Sequence, residues 1–561
     1  MAALSAIGVG GAIAEGQTPK QNSSDSILAG ALERNDAAVR QLLTGQVTDP
    51  SSPWVGAFPD RFGLHSAGAA GGAIEAFTAS LLHPQSKYHR DAAVVQRIQL
   101  AAGFLERCQS PEGNVDLPTT NFNSPPDTAF VVNNVATAAS ISLKAAPEIG
   151  ALLRPFLLKA GNGLAAGGIH TPNHRWVVSS ALAQINELFP NSSYTRRIEE
   201  WLGETTDVDG DGQFIEQSTL VYDRICDRAF VVLAAKLNRP ELLEPARANL
   251  QMLPYLLHAN GEVVTEISHR QDQFTRGDAG GYWFPLTYLA QHDNDKNFAA
   301  LSAALGPQYA TLSALLEYPE LLKPLPLFSI LPVDYEKYFP VSGINRVRRL
   351  DLSGTIVLHG SSRVFSMQYG DAVITAVRFA SSFFGKGQFI PGTFEKRGKT
   401  WVMRQSLQGP YYQPIDKQVT RENWESARAE RRQTQVVKLE QSMEITESKN
   451  GFTLHIRAAS TATVPVAVEI GFREGGQFEG CTPAPSSASA LGAATPAKPG
   501  LLLANGTGVY RAGKNSIRFG PGAAPHQYTE LRGAEPALPG QSVYITGFTP
   551  FDHTLTLEGG V

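Results

Sequence analysis

The period of the apolar residues changes once along this chain, near residue 345, and that change limits the architectures open to it. Up to about residue 320, apolar residues recur at three-to-four spacing, as on one face of a helix. Segments Asp25–Gly45, Gly71–His83, Asp91–Gln109, Asp127–Ala146, Glu148–Gly168 and Arg175–Phe189 all read this way, and four further stretches continue the pattern. The spacing predicts about ten helices joined by short Gly/Pro/Asn turns, with Pro190 ending one of them because its ring and missing N–H stop a helix. Such helix pairs stack in a bundle, a solenoid or a closed ring. The lack of a fixed-period repeat weighs against the solenoid.

After residue 345 the texture is short runs of β-branched and aromatic residues, among them "DAVITAVRFA", "FTLHIRAAS" and "VPVAVEIGF". Several alternate apolar and polar, as half-buried antiparallel strands do. This predicts a β-sandwich over 345–561. Five prolines between Tyr318 and Pro340 predict a linker over 321–344, and Thr482–Gly500 reads as a surface loop. Helices followed by strands imply separate domains. With 561 residues, of which 42 % are hydrophobic, each half is long enough to bury its own core.

The net charge is −4 and no basic run occurs, so nucleic acid is not an expected partner. No apolar run reaches the ~20 residues of a membrane span. Three cysteines (Cys108, Cys226 and Cys481) show neither metal-ligand spacing nor a disulfide framework. The first 24 residues are small and apolar, with Ala-Ile-Ala before Glu15 resembling a cleavage site, although a positive n-region is missing. They read as a trimmed signal-like leader, or else as a disordered tail. The leader reading predicts a secreted or periplasmic protein.

Four polar segments each adjoin an apolar helix. One holds Asn173, His174 and Arg175. "DVDGDGQFIEQSTLVYDR" (Asp207–Arg224) holds Glu216, Ser218, Tyr222 and Arg224. Asn114–Asn134 contains five asparagines, and Thr265–Phe284 adds His269, Arg270, Arg276 and Tyr282. Together they offer amides, imidazoles, phenols and guanidiniums, but few carboxylates. That inventory suits β-elimination on a uronic acid. The C5 proton is weakly acidic because the ionised carboxylate resists more charge; an amide or Arg against it stabilises the enolate-like intermediate. A neutral imidazole takes the proton and a tyrosine returns one to the departing O4.

Asn173-His174 before a helix, followed by Asp211-Gly212, Glu216, Ser218 and Tyr222, resembles the heparinase II/III-like polysaccharide lyases, including their alginate- and glucuronan-lyase relatives. The motif-level likeness spans about residues 167–228. The resemblance implies an N-terminal (α/α) toroid over 25–320, followed by the C-terminal antiparallel β-sandwich. It also implies that Asn173 neutralises the substrate carboxylate, His174 is the base and Tyr222 the acid, with no metal required for catalysis. Asn134, Arg175, Glu216, Arg224, His269 and Tyr282 would line the substrate. The chain departs from the family at Pro172, where members often carry a further Asn, and at Asp223, where they carry His; Asn133 or Asn134 would supply the second amide. The substrate expected is an acidic polysaccharide of alginate, glucuronan or glycosaminoglycan type.

Other readings of the same residues stay open. A glycoside hydrolase on a helical toroid would need two carboxylates flanking the bond, which Asp127, Glu216, Asp223, Asp227 and Asp278 could supply. A non-catalytic carbohydrate-binding protein is the third reading. "DVDGDG" begins like a calcium loop, but Ser218 stands at position 12, where an EF-hand needs Glu. A tight acidic turn is the better reading, and a structural Ca²⁺ or Zn²⁺ stays open. Trp54, Phe58, Trp176, Trp283 and Tyr411-Tyr412 are either packing aromatics or sugar-stacking ones.

Overall fold

A computed structural model describes residues 23–485 and 500–560. The leader-like residues 1–22 and most of the Thr482–Gly500 loop lie outside the described residues. The chain divides into two compact units. One is Met1–Leu257 with Gly261–Pro332; the other is Val333–Val561 with His258–Asn260.

The first unit is helical. Its helices among the described residues are α1 (Ser24–Gly45), α2 (Ala67–Leu82), α3 (Ala92–Cys108), α4 (Pro125–Ser142), α5 (Pro147–Ala166), α6 (Asn173–Leu188), α7 (Ser192–Leu202), α8 (Tyr222–Leu237), α9 (Glu244–Met252), α10 (Trp283–Asp293), α11 (Lys296–Leu305) and α12 (Leu312–Glu317). Helices α2, α4, α6, α8 and α10 pack side by side in that order. Helix α12 meets α2 and α4, and α10 meets the 3₁₀ turn Pro319–Leu322 that follows α12, which closes the ring. The intervening helices form an outer layer, in which α3, α5 and α7 contact in turn. This is an (α/α) toroid.

Burial follows from composition. Every residue of α6 from Asn173 to Ile185 is buried, whereas outer α7 buries only Tyr194 and Ile198. A helix buried on all faces belongs to the inside of a large core, and one with a single stripe covers it. The C-terminal ends of the inner helices are tied by Glu317, which pairs with Lys236 at 2.9 Å and accepts from Thr137 Oγ1 at 2.9 Å. Burial disfavours the Lys236 ammonium, but Glu317 and Glu187 outweigh it and hold its pKa above the ordinary lysine value. The opposite rim, at the N-termini of α4, α6 and α8, is left for the loops.

The second unit is an antiparallel β-sandwich of an eight- and a nine-stranded sheet. Phe551–Gly560, Gly451–Ala459, Gln433–Ser448 and Thr400–Tyr412 are neighbours in the first; Gln541–Phe548, Pro465–Phe472, Ala372–Ser381 and Phe365–Tyr369 are neighbours in the second. The alternation read from the sequence sets which side chains face inward: Phe452, Leu454, Ile456 and Ala458 of one strand are all fully buried in the inter-sheet core. The sheet begins at Asp334, not near 345, because Asp334–Phe339 and Ile344–Arg349 pair as a hairpin. Pro340 sits in that hairpin's turn, so the fifth proline marks a turn inside the sandwich and not the linker.

Candidate active site

Two loops and a helix start converge at the N-terminal rim of the toroid. Helix α6 opens on Asn173, and the Asn173 Nδ2 donates to both oxygens of Glu216, at 3.0 and 2.9 Å, and to Thr171 Oγ1 at 3.1 Å. Glu216 lies in the loop before α8. That helix opens on Tyr222, whose backbone N–H donates to the Ser218 hydroxyl at 3.1 Å. The Ser218 hydroxyl in turn donates to Asp272 at 2.9 Å, as does Ser268, and the Leu220 N–H reaches the other Asp272 oxygen. Asp272 therefore clamps the Ser268–Asp272 turn onto the Ser218–Leu220 loop. The clamp places Arg270 over the Tyr222 ring, 4.9 Å from its centroid, and lets Gln271 Nε2 donate to the Tyr222 hydroxyl at 2.7 Å. Since Gln271 occupies an acceptor site of that oxygen, the phenol's own proton stays free to be given away.

His174 follows Asn173 and is 7 % exposed, with a buried Nδ1 that has no hydrogen-bond partner. The exposed His170 ring stands edge-on to it at 4.7 Å, and Phe130 flanks it at 6.4 Å. Burial pushes the imidazole pKa down to about 4; His170 and Arg270 add to the depression, and Asp127 opposes it. His174 is therefore neutral at pH 7 and available to accept a proton.

Of the sequence-derived residues, Asn173, His174, Glu216 and Tyr222 belong to this constellation. Arg175 does not: its guanidinium lies 3.5 Å from Glu204 and 3.4 Å from Asp207 and stacks on Trp176, so it ties α6 to the segment before the Glu216 loop. Tyr282 is 1 % exposed, and its hydroxyl donates to the Thr219 carbonyl, which makes it a prop beneath the loop and not a lining residue. Arg224 packs against Gly281, where a Cβ would stand 2.3 Å from its side chain. His269 is exposed and bound through its backbone N–H to the Glu216 carbonyl. Asn134 is half-buried on α4, facing Gly72 of α2. The sequence reading named Arg270 only among the polar residues of Thr265–Phe284, without a role, and left out Gln271; both stand on Tyr222. Their signal was the polar Thr265–Phe284 segment, but nothing in it marks which side chain turns inward; that depends on the Asp272 clamp.

Behind Tyr222, Asp223 and Asp227 lie one turn apart and are 1 % and 0 % exposed. Burial pushes both pKa values well up; Asp272 and Glu216 add to it at Asp223, and Asp223 adds to it at Asp227. Groups so deep do not flank a glycosidic bond. A raised folded-state pKa stabilises fully below the unfolded value of ~3.9, and the benefit is lost as pH rises toward the folded value. While one such proton is retained, stability falls by about 1.4 kcal/mol per pH unit. Asp223→Asn and Asp227→Asn are expected to flatten this slope, raising Tm at pH 8 more than at pH 5; thermal melts across that range measure it.

The "DVDGDG" stretch makes its own turn, with the Asp209 carboxylate accepting from the N–H groups of Asp211 and Gln213. Among the described residues no group of three or more His, Cys, Asp or Glu side chains is arranged to hold a metal ion. No described helix is long and apolar enough to cross a membrane.

No family model matches the chain, and no curated protein sequence does. Solved structures do match. A chondroitin AC lyase of Streptomyces coelicolor A3, in complex with chondroitin sulphate, superposes with TM-score 0.55 at 13 % identity, over 95 % of this chain and 79 % of that one. A heparinase III gives 0.51 at 11 %, over 88 % and 74 %. A Paenibacillus xanthan lyase gives 0.55 at 10 %, over 98 % of this chain but 58 % of its own length. The chain has a heparinase-like polysaccharide-lyase fold, an (α/α) toroid followed by an antiparallel β-sandwich.

Proposed function

We propose that this chain is a polysaccharide lyase that cleaves a uronic-acid-containing glycan, of alginate, glucuronan or glycosaminoglycan type, by β-elimination. The observation that carries the proposal is the convergence of an amide, a neutral imidazole and a phenol at one rim of the toroid. In this reading His174 removes the C5 proton and Tyr222 protonates the leaving O4. Asn173 offsets the carboxylate's charge. Its two N–H groups are engaged by Glu216 and Thr171, so Arg270, 3.8 Å from Glu216 and over the Tyr222 ring, adds a cationic donor. The hydrolase alternative loses Asp223 and Asp227 to deep burial, at 1 % and 0 % exposed, and Glu216, also buried, is held by Asn173. The first 24 residues, read as a leader, fit a secreted or periplasmic enzyme meeting such polymers.

The test is incubation with a panel of polyuronates while following the ultraviolet absorbance of the C4–C5 double bond, which hydrolysis does not create. A rise with one polymer supports elimination and gives the substrate class; new reducing ends without it overturn the proposal. The base also sets the acid limb of the pH profile. Because kcat/KM reports the free enzyme, its acid limb is expected near the His174 pKa of about 4, not near the ~6.5 of free imidazole. A His174 titration followed by NMR would give the same midpoint, and a limb at 6.5 would assign the base elsewhere.

A further inference from the structure

The β-sandwich holds a concave site of its own. Between its two sheets lies a cavity of about 490 Å³, within the range of small-molecule sites. Val347 and Ile356 of one sheet and Ile445 and Phe452 of the other give it apolar walls. Three polar groups interrupt them. Asn345 is 0 % exposed, and neither its amide oxygen nor its amide nitrogen has a partner. The Trp401 indole Nε1 and the Ser448 hydroxyl line the same cavity and are likewise buried and unpaired. Asn345 shares a strand face with Val347, a residue of the inter-sheet core, so its amide is turned between the sheets.

Leaving a buried polar group unpaired is costly, and native interiors hold few of them. Three around one cavity form a set waiting for hydrogen bonds. They supply both donors and acceptors against aliphatic and aromatic walls, the match for a pyranose ring with its hydroxyl edge and apolar faces. The rim adds charge. Glu336 is paired with Lys396 and Glu447 with Arg349, each at 2.7 Å, whereas Lys399 and Lys449 make no ion pair among the described residues. The uncompensated charge is positive.

We propose that this cavity binds a uronate sugar unit, at a site separate from the His174 constellation. Asn345 and the Trp401 N–H bind its hydroxyls, and Lys399 and Lys449 attract its carboxylate. The ligand is a free uronic acid or the end of an acidic glycan.

The experiment uses the full chain carrying His174→Ala, so that binding is read without turnover and its failure is distinct from failure of the lyase reading. Tryptophan is replaced by 5-fluorotryptophan, and Trp401→Phe assigns one of the six signals in the fluorine NMR spectrum. D-Glucuronate is titrated, then D-glucose, then a glucuronan oligosaccharide. The Trp401 signal is expected to move saturably with a Kd on the order of 1 mM for glucuronate, and about tenfold more weakly for glucose. Asn345→Leu, close in volume and apolar, should weaken both sugars about tenfold. Lys399→Ala with Lys449→Ala, both at exposed positions, should weaken glucuronate and leave glucose unchanged. Equal response to monomer and oligosaccharide identifies a chain end, and response to the monomer alone a free sugar. A stationary Trp401 signal at about 10 mM glucuronate, a shift that survives Asn345→Leu, or equal affinity for glucose would overturn the proposal.

Discussion

Tyr222→Phe is expected to lower kcat on the responsive polyuronate by about 10³-fold while leaving KM within a small factor, the pattern for a proton transfer made only in the transition state. The substitution removes one oxygen and keeps the ring on which Arg270 lies, so the packing at the start of α8 survives. His174→Ala is expected to cost a similar factor, since it removes the imidazole that takes the C5 proton. The double variant should be barely worse than either alone, because groups acting on one transition state lose their effect together. The hydrolase reading predicts otherwise: Tyr222→Phe would be mild, carboxylate-to-amide changes would dominate, and no product would carry the double bond. Elimination kinetics on the three variants separate the two readings.

How far this was legible in the sequence depends on what each residue's position rests on. The two architectures were readable because a toroid and a sandwich bury different periods: α6 is apolar enough to be enclosed for most of its length, and Gly451–Ala459 alternates cleanly. The hairpin at Asp334 was not, because Pro340 looks the same in a linker as in a turn. The placement of Asn173, His174 and Tyr222 at helix starts was legible, because one residue's place follows from the helix start. Arg175 and Tyr282 were misread for one physical reason. Polar side chains near a site are as often its scaffolding as its lining, and only the partners, Glu204 with Asp207 for the one and the Thr219 carbonyl for the other, decide between the two roles. The place of Arg270 over Tyr222 was not legible, because its inward turn is imposed by Asp272, two residues on, holding two serines and a backbone N–H.

Glu216→Gln is the prediction that tests whether the amide must be held. In this geometry Glu216 touches no reacting atom. It accepts from Asn173 through both oxygens and lies 3.8 Å from Arg270, so it positions both groups proposed to meet the substrate carboxylate. Gln keeps the volume and one acceptor, but sets an N–H₂ against the Asn173 N–H₂. Relief requires Asn173 to turn its amide, which exchanges donor for acceptor at that end. The variant also leaves Arg270 without its nearest carboxylate. A misplacement of this order costs about 10²-fold in kcat, because the enolate-like charge loses donors aimed at it in advance. The loss should appear at every pH, with the acid limb still set by His174, and the residual product should still carry the C4–C5 double bond. A Glu216 that transferred protons itself would instead shift the pH profile when replaced, and a purely structural Glu216 would lower Tm with kcat per folded molecule unchanged. Steady-state kinetics across pH, paired with melting curves on the same preparation, distinguish the three.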